Sequence, residues 1–150
     1  MDIKAFIFDM DGLLFDSERI VQRSWKMAGD ELGILHMGDV IYHTLGMNRT
    51  GRNEYFRKYI REDFPFEEFG KLTRDNFWKI VDKEGLPLKK GVKELLAYGK
   101  AQGYKMAVAT SSSREYAMGN LIRAGIDPYF DSVICGDMVK KAKPDPEIYQ

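Results

Sequence analysis

Residues Ile3-Lys4-Ala5-Phe6-Ile7-Phe8 form a nearly continuous apolar run that stops abruptly at Asp9. A strand with one wet face alternates apolar and polar residues. A short run without alternation reads instead as a strand of a parallel sheet, covered on both faces. Two later runs have the same punctuated form, Tyr104 to Ala109 and Ser132 to Cys135. Val92, Leu95 and Leu96 mark a helix that ends near Gly103. Arg114 to Ala124 carries helical periodicity, with Gly125 just beyond it, where a left-handed cap is easiest. The order is strand, long helical block, helix, strand, helix, strand. It implies an α/β fold: a parallel sheet with helices on its faces.

The helical block follows the first strand directly. Asp16 or Ser17 is placed to cap a helix carrying Ile20, Val21, Trp25 and Ala28, with Gly29 and Gly33 as breakers near its end. Tyr55, Phe56, Tyr59 and Ile60 share one helical face, and so do Phe69, Leu72, Phe77, Ile80 and Val81. Asp63-Phe64-Pro65 separates these two segments. The block reads as a cap inserted into the core, giving residues 1–16 and 84–150 to the core and 17–83 to the cap.

Charge narrows the function classes. Lys plus Arg and Asp plus Glu both number 23, so no basic surface for nucleic acid or for an anionic membrane is indicated. The apolar runs are too short to span a bilayer. The single cysteine, Cys135, excludes an internal disulfide and reads as a small core residue. With no signal peptide recognised at the N-terminus, a cytoplasmic location is expected.

Two carboxylates, Asp9 and Asp11, follow the first strand at once, with Gly12 to let the chain turn. Open α/β sheets bind ligands outside the carboxyl ends of their strands. An ionised aspartate is a competent nucleophile towards phosphorus. A hard cation such as Mg2+ would relieve its repulsion from phosphate, and Asp9 suits nucleophile and metal ligand together. Asp11 reaches the leaving-group oxygen, to protonate it and then take a proton from water. Read alone, Asp-X-Asp-Gly describes a solvated turn equally well. Thr110-Ser111-Ser112 directly follows the second strand, where hydroxyls and backbone N–H groups make an anion site or a simple helix N-cap. Lys143-Pro144 follows the third, and the ammonium of Lys143 is suited to neutralise both Asp9 and a bound phosphate.

Together the three motifs are specific. Phe8-Asp9-Met10-Asp11-Gly12-Leu13-Leu14-Phe15-Asp16-Ser17-Glu18, Val108-Ala109-Thr110-Ser111-Ser112-Ser113 and Ala142-Lys143-Pro144-Asp145-Pro146-Glu147-Ile148-Tyr149 resemble the haloacid dehalogenase-like superfamily, and within it the β-phosphoglucomutase-like branch with a helical cap. The resemblance covers essentially the whole chain. It implies a Rossmann-like core with an inserted all-helical cap. It also implies Asp9 as nucleophile, Asp11 as acid and base, and Thr110, Ser111, Ser112 and Lys143 as phosphate contacts. Mg2+ would be held by the Asp9 carboxylate and the main-chain carbonyl of Asp11.

The chain departs from that pattern in two places. The family's fourth motif, an acidic pair after a fourth strand, has no counterpart among these residues. A fragment, or a chain completed by a second polypeptide, is therefore expected. Its first strand would be bared along one side, a swapping and aggregation hazard. Such a chain is expected to hold Mg2+ weakly and to turn over poorly alone, whereas the full-length protein is expected to be a monomer. In the cap, Leu45-Gly46-Met47-Asn48-Arg49 aligns with the branch's substrate-specificity loop, and mutases of the branch carry lysine where this chain has Leu45. That loss favours plain hydrolysis over a mutase. Gly46 and Arg49 are expected to contact substrate, Arg49 through a second anionic group, although a solvated helix-start arginine accounts for it as well. His36 and His43 read as ordinary cap residues. Trp25 reads as cap core or as the face between cap and core.

A dehalogenase would need no acid for a halide leaving group, so Asp11 argues against it. A glycosidase pair must straddle a sugar ring, which two acids on one short loop do not. A non-catalytic binding module is the remaining rival, opposed by the three intact motifs. The expected function is a Mg2+-dependent phosphatase acting on a small phosphate monoester, a sugar phosphate by expectation, through an aspartyl-phosphate intermediate. A phosphomutase is the alternative.

Overall fold

The structure is a computed structural model that describes residues 3–44, 47 and 49–150, with the backbone alone at Arg49. The chain divides into two compact units, residues 1–17 with 85–150 and residues 18–84.

The first unit is built on a three-stranded parallel sheet. Strands β1 (Ala5–Phe8), β2 (Lys105–Ala109) and β3 (Ser132–Ile134) lie side by side in that order. Ala5 is in register with Lys105 and Phe8 with Val108, while Ala109 pairs with Ile134. The carboxyl ends of all three strands therefore lie level along one edge. Helix α5 (Val92–Ala101) packs on β2. That approach leaves no room for a Cβ at Gly99, which would lie 2.8 Å from Met106 Sδ. Helix α6 (Arg114–Arg123) joins β2 to β3. It ends where Gly125 takes the left-handed conformation (φ 69°), as its place after the helix required. Val108, Leu96, Leu121, Ile126 and Cys135 are fully buried between these layers. Burial pushes the Cys135 thiol up, as befits a core residue.

The expectation of a first strand covered on both faces does not hold. Ile3 and Ile7 are 57% and 53% exposed. β1 is the outermost strand, and among the described residues nothing pairs its other edge. The apolar composition of a parallel strand is protective only where neighbours cover it.

The second unit is all helical. Helices α1 (Ser17–Glu31), α2 (Met37–Thr44), α3 (Arg49–Tyr59) and α4 (Phe66–Glu84) surround an aromatic core. Trp25 packs edge-on against Phe56 and Phe69, both at 5.6 Å between ring centroids. Each such pair contributes about 0.5–1.5 kcal/mol beyond its buried area. Trp25 is thus a core residue of the helical unit. Gly29 is not a breaker. It lies inside α1, where a Cβ would meet the Ile34 carbonyl and the Met37 side chain at 2.6–2.7 Å. On α3, Phe56 is buried but Tyr59 is exposed, so the apolar face is narrower than the sequence spacing suggested. No helix among the described residues is long and apolar enough to cross a membrane.

Candidate active site at the strand ends

Beyond β1 the chain keeps the period-two alternation of a strand for a few residues more. Phe8 and Met10 are buried, Asp9 is exposed and Asp11 half-buried. Asp-X-Asp spacing in extended chain puts both acids on one side and the intervening Met10 into the core. Gly12 then turns with φ 77°. The turn is tight: the N–H groups of Leu14 and Phe15 both donate to the Met10 carbonyl, at 3.0 and 3.1 Å. The Gly12 N–H donates to Ser17 Oγ, so that hydroxyl closes the loop. The returning chain is pinned alongside, with Asp16 N–H on the Pro87 carbonyl and Lys89 N–H on that of Leu14.

After β2, Thr110 is buried, and its Oγ1 accepts the Ser112 N–H at 3.1 Å. A hydroxyl that accepts there still has its own proton to donate. The N-cap of α6 is not in the Thr110–Ser112 run but is Ser113, whose Oγ accepts the Tyr116 N–H. The Arg114 N–H is taken by the Asp137 carboxylate at 3.0 Å. Among the described residues, the N–H groups of Ser111, Ser113 and Glu115 are left without an intramolecular acceptor around this helix start. The close approach of the next segment demands a glycine: a Cβ at Gly136 would run into the Ser111 carbonyl.

Lys143 returns from beyond β3. Its Nζ donates to Asp9 Oδ1 at 3.0 Å and to the Ala109 carbonyl at 2.8 Å, linking the segment after β3 to the segment after β1 and to the last residue of β2. Burial lowers the Lys143 pKa. The hydrogen bonds and charges of Asp9 and Tyr149 more than offset this and hold it above its ordinary value. The ammonium therefore stays charged across the neutral range.

Asp11 is held from the side of α6. Ser112 Oγ donates to its Oδ2 at 2.8 Å and the Tyr116 hydroxyl to its Oδ1 at 3.0 Å. Tyr116 and Asp137 are the site residues that sequence reasoning missed. Tyr116 meets a partner 105 positions away. The only local hint was its place one turn into a helix that starts at a strand end. Asp9, Asp11, Ser112 and Lys143 are brought together, with Thr110 and Ser111 on the adjoining loop. The specificity loop falls differently: Leu45, Gly46, Asn48 and the Arg49 side chain lie outside the described residues.

Whether these residues suit Mg2+ is decided by their chemistry. Mg2+ takes one or two carboxylates and fills its remaining positions with phosphate oxygens and water. Asp9 presents a half-exposed carboxylate with one oxygen on Lys143, and the main-chain carbonyl of Asp11 lies two residues on in the same loop. Both are hard oxygen donors, so the residues present fit the ion as part of a ligand set. Among the described residues no three His, Cys, Asp or Glu side chains gather into a fuller one.

Known proteins resemble this chain in sequence and fold. A family model described as haloacid dehalogenase-like hydrolase matches residues 3–150. The chain is 32% identical to the phosphorylated carbohydrates phosphatase of Thermotoga maritima, over 98% of this chain and 68% of that protein. Among solved structures, a provisionally named β-phosphoglucomutase from Thermotoga maritima superposes with a TM-score of 0.76 at 30% identity, over 98% of this chain and 68% of that one. CbbY from Rhodobacter sphaeroides, solved with phosphate, superposes with a TM-score of 0.60 at 25% identity, over 99% and 70%. The chain thus spans about two thirds of the length of each of these relatives.

Proposed function

The chain belongs to the haloacid dehalogenase-like hydrolases, in the β-phosphoglucomutase-like branch, and from that membership we propose that it is a phosphatase for a small phosphate monoester, a sugar phosphate by preference, working through an aspartyl-phosphate. A sugar phosphate is favoured because the Thermotoga maritima relative is a phosphatase of phosphorylated carbohydrates.

In this reading an Asp9 carboxylate oxygen attacks phosphorus, and the bond to the ester oxygen breaks. The departing oxygen takes its proton from Asp11. Asp11, now a carboxylate, removes a proton from water. The water oxygen attacks the same phosphorus, the bond to Asp9 breaks, and inorganic phosphate leaves with both acids restored. Lys143 sets a positive charge against Asp9 and the phosphoryl oxygens. Thr110 Oγ1 and the N–H groups of Ser111 and Ser113 supply neutral donors. The Asp9 carboxylate and the Asp11 carbonyl would hold Mg2+, which when bound offsets the repulsion between carboxylate and phosphate. Gly46 and Arg49 are assigned to substrate contact by the resemblance alone.

The observation that carries this reading is the Lys143–Asp9 contact at 3.0 Å, which joins the segments after β3 and β1 across 134 positions. The test is a Mg2+-dependent phosphate-release screen over phosphorylated sugars, nucleotides and glycolate-type acids, with a phosphoglucose mutase assay beside it. Net phosphate release is expected from a small ester. Asp9→Asn should abolish it and Asp11→Asn nearly so. Undiminished release from Asp9→Asn would overturn the covalent route, and isomerisation without release would make the protein a mutase.

A further inference from the structure

As the proton carrier, Asp11 must be aimed at the oxygen it serves. Torsion about the Cβ–Cγ bond of an aspartate is soft, with broad and roughly two-fold preferences. A carboxylate at the end of a loop therefore needs outside donors to hold one orientation. Here it has one on each oxygen, Tyr116 on Oδ1 at 3.0 Å and Ser112 on Oδ2 at 2.8 Å. A carboxylate oxygen has two acceptor positions, so each keeps one for substrate or water.

We propose that Tyr116 is a positioning residue: it fixes the Asp11 carboxyl so that the oxygen position that carries its proton faces the leaving-group oxygen. This rests on Asp11 being the proton carrier. Tyr116 is itself well anchored. Its N–H is capped by Ser113 Oγ, and its carbonyl accepts Asn120 Nδ2 at 2.8 Å. Its ring is largely buried, and that burial, with the charge and hydrogen bond of Asp11, pushes the phenol far above its ordinary value. A phenol is a neutral donor, so it orients the Asp11 carboxyl without setting a positive charge beside it as a lysine would.

The test separates aiming from folding by varying the leaving group. An alkyl phosphate expels a strongly basic oxygen and needs the proton. p-Nitrophenyl phosphate expels a stable phenolate and needs it little. Tyr116→Phe keeps the ring. It is expected to lower kcat/KM for an alkyl phosphate by about 10- to 100-fold, the scale of a misplaced catalytic group. The effect on kcat/KM for p-nitrophenyl phosphate, which reports the steps up to phosphoryl transfer to Asp9 and not the later proton transfer from water, should be less than about threefold. Equal losses in kcat/KM on both substrates, or no loss on either, overturn the proposal. Asp11→Asn runs in parallel. If it shows no leaving-group dependence, Asp11 is not the proton carrier and the inference falls with that role. If no ester is turned over by the parent, the phosphatase reading fails first.

Discussion

Asp9 and Asp11 differ by what answers their charge. Asp9 meets an ammonium from beyond β3, and Asp11 meets two neutral hydroxyls from beyond β2. A nucleophile that must approach phosphate gains from a neighbouring cation, whereas a proton carrier gains from donors that orient it. Lys143→Met is expected to lower kcat/KM by about 100-fold or more, comparable to removing a charge-stabilising donor from a transition state. Steady-state kinetics on the best ester of the screen would measure it, and a change of less than tenfold would count against the role of Lys143. Asp9, Asp11, Thr110 and Lys143 were legible in the sequence because each follows a strand at a recognisable place. Tyr116 and Asp137 were not, because a tyrosine or an aspartate near a helix start is unremarkable until its distant partner is known.

Among the elements, β2 is tied at its start as well as along its length. The Asp131 carboxylate accepts the Met106 N–H at 2.9 Å, and the Asp131 N–H donates back to the Met106 carbonyl at 2.7 Å. The Met106 bond, aided by Lys105, holds the Asp131 carboxyl below its ordinary pKa despite the opposing effect of desolvation. A carboxylate with a lowered folded value stabilises the fold above its unfolded pKa, and that contribution fades as pH falls through the folded value. Asp131→Asn is therefore expected to lower the unfolding temperature at neutral pH, with the gap from the parent closing in acid. Thermal unfolding at pH 7 and near pH 3 checks this, and a gap that is constant with pH refutes it. The strands and α6 fell where periodicity placed them, within a residue or two at each end. The capping of α6 did not: its N-cap is Ser113, and a carboxylate from the segment after β3 takes its first N–H.

At the scale of the molecule, the outer edge of β1 is the feature with consequences. Ile7 stands half-exposed on a strand whose second edge no described residue pairs. Unpaired apolar edges template contact with another chain, and a lysine there discourages it. Ile7→Lys is expected to reduce concentration-dependent self-association of the 150-residue chain, read by sedimentation velocity. Equal association in the two forms would place the contact elsewhere. The helical unit is closed by its own aromatic cluster of Trp25, Phe56, Phe64 and Phe69.

By itself the sequence determined the class of fold, the order of its elements, the long helical insertion and the acid pair, hydroxyl run and lysine after successive strands. These follow from apolar period, turn residues and spacing, all local properties of the chain. Only the tertiary structure decided that β1 lies outermost with Ile7 bared, that Asp137 occupies the start of α6, and that Tyr116 and Ser112 share the carboxylate of Asp11. Each of these depends on which strand ends become neighbours, and that is settled by sheet order and register rather than by any stretch of sequence.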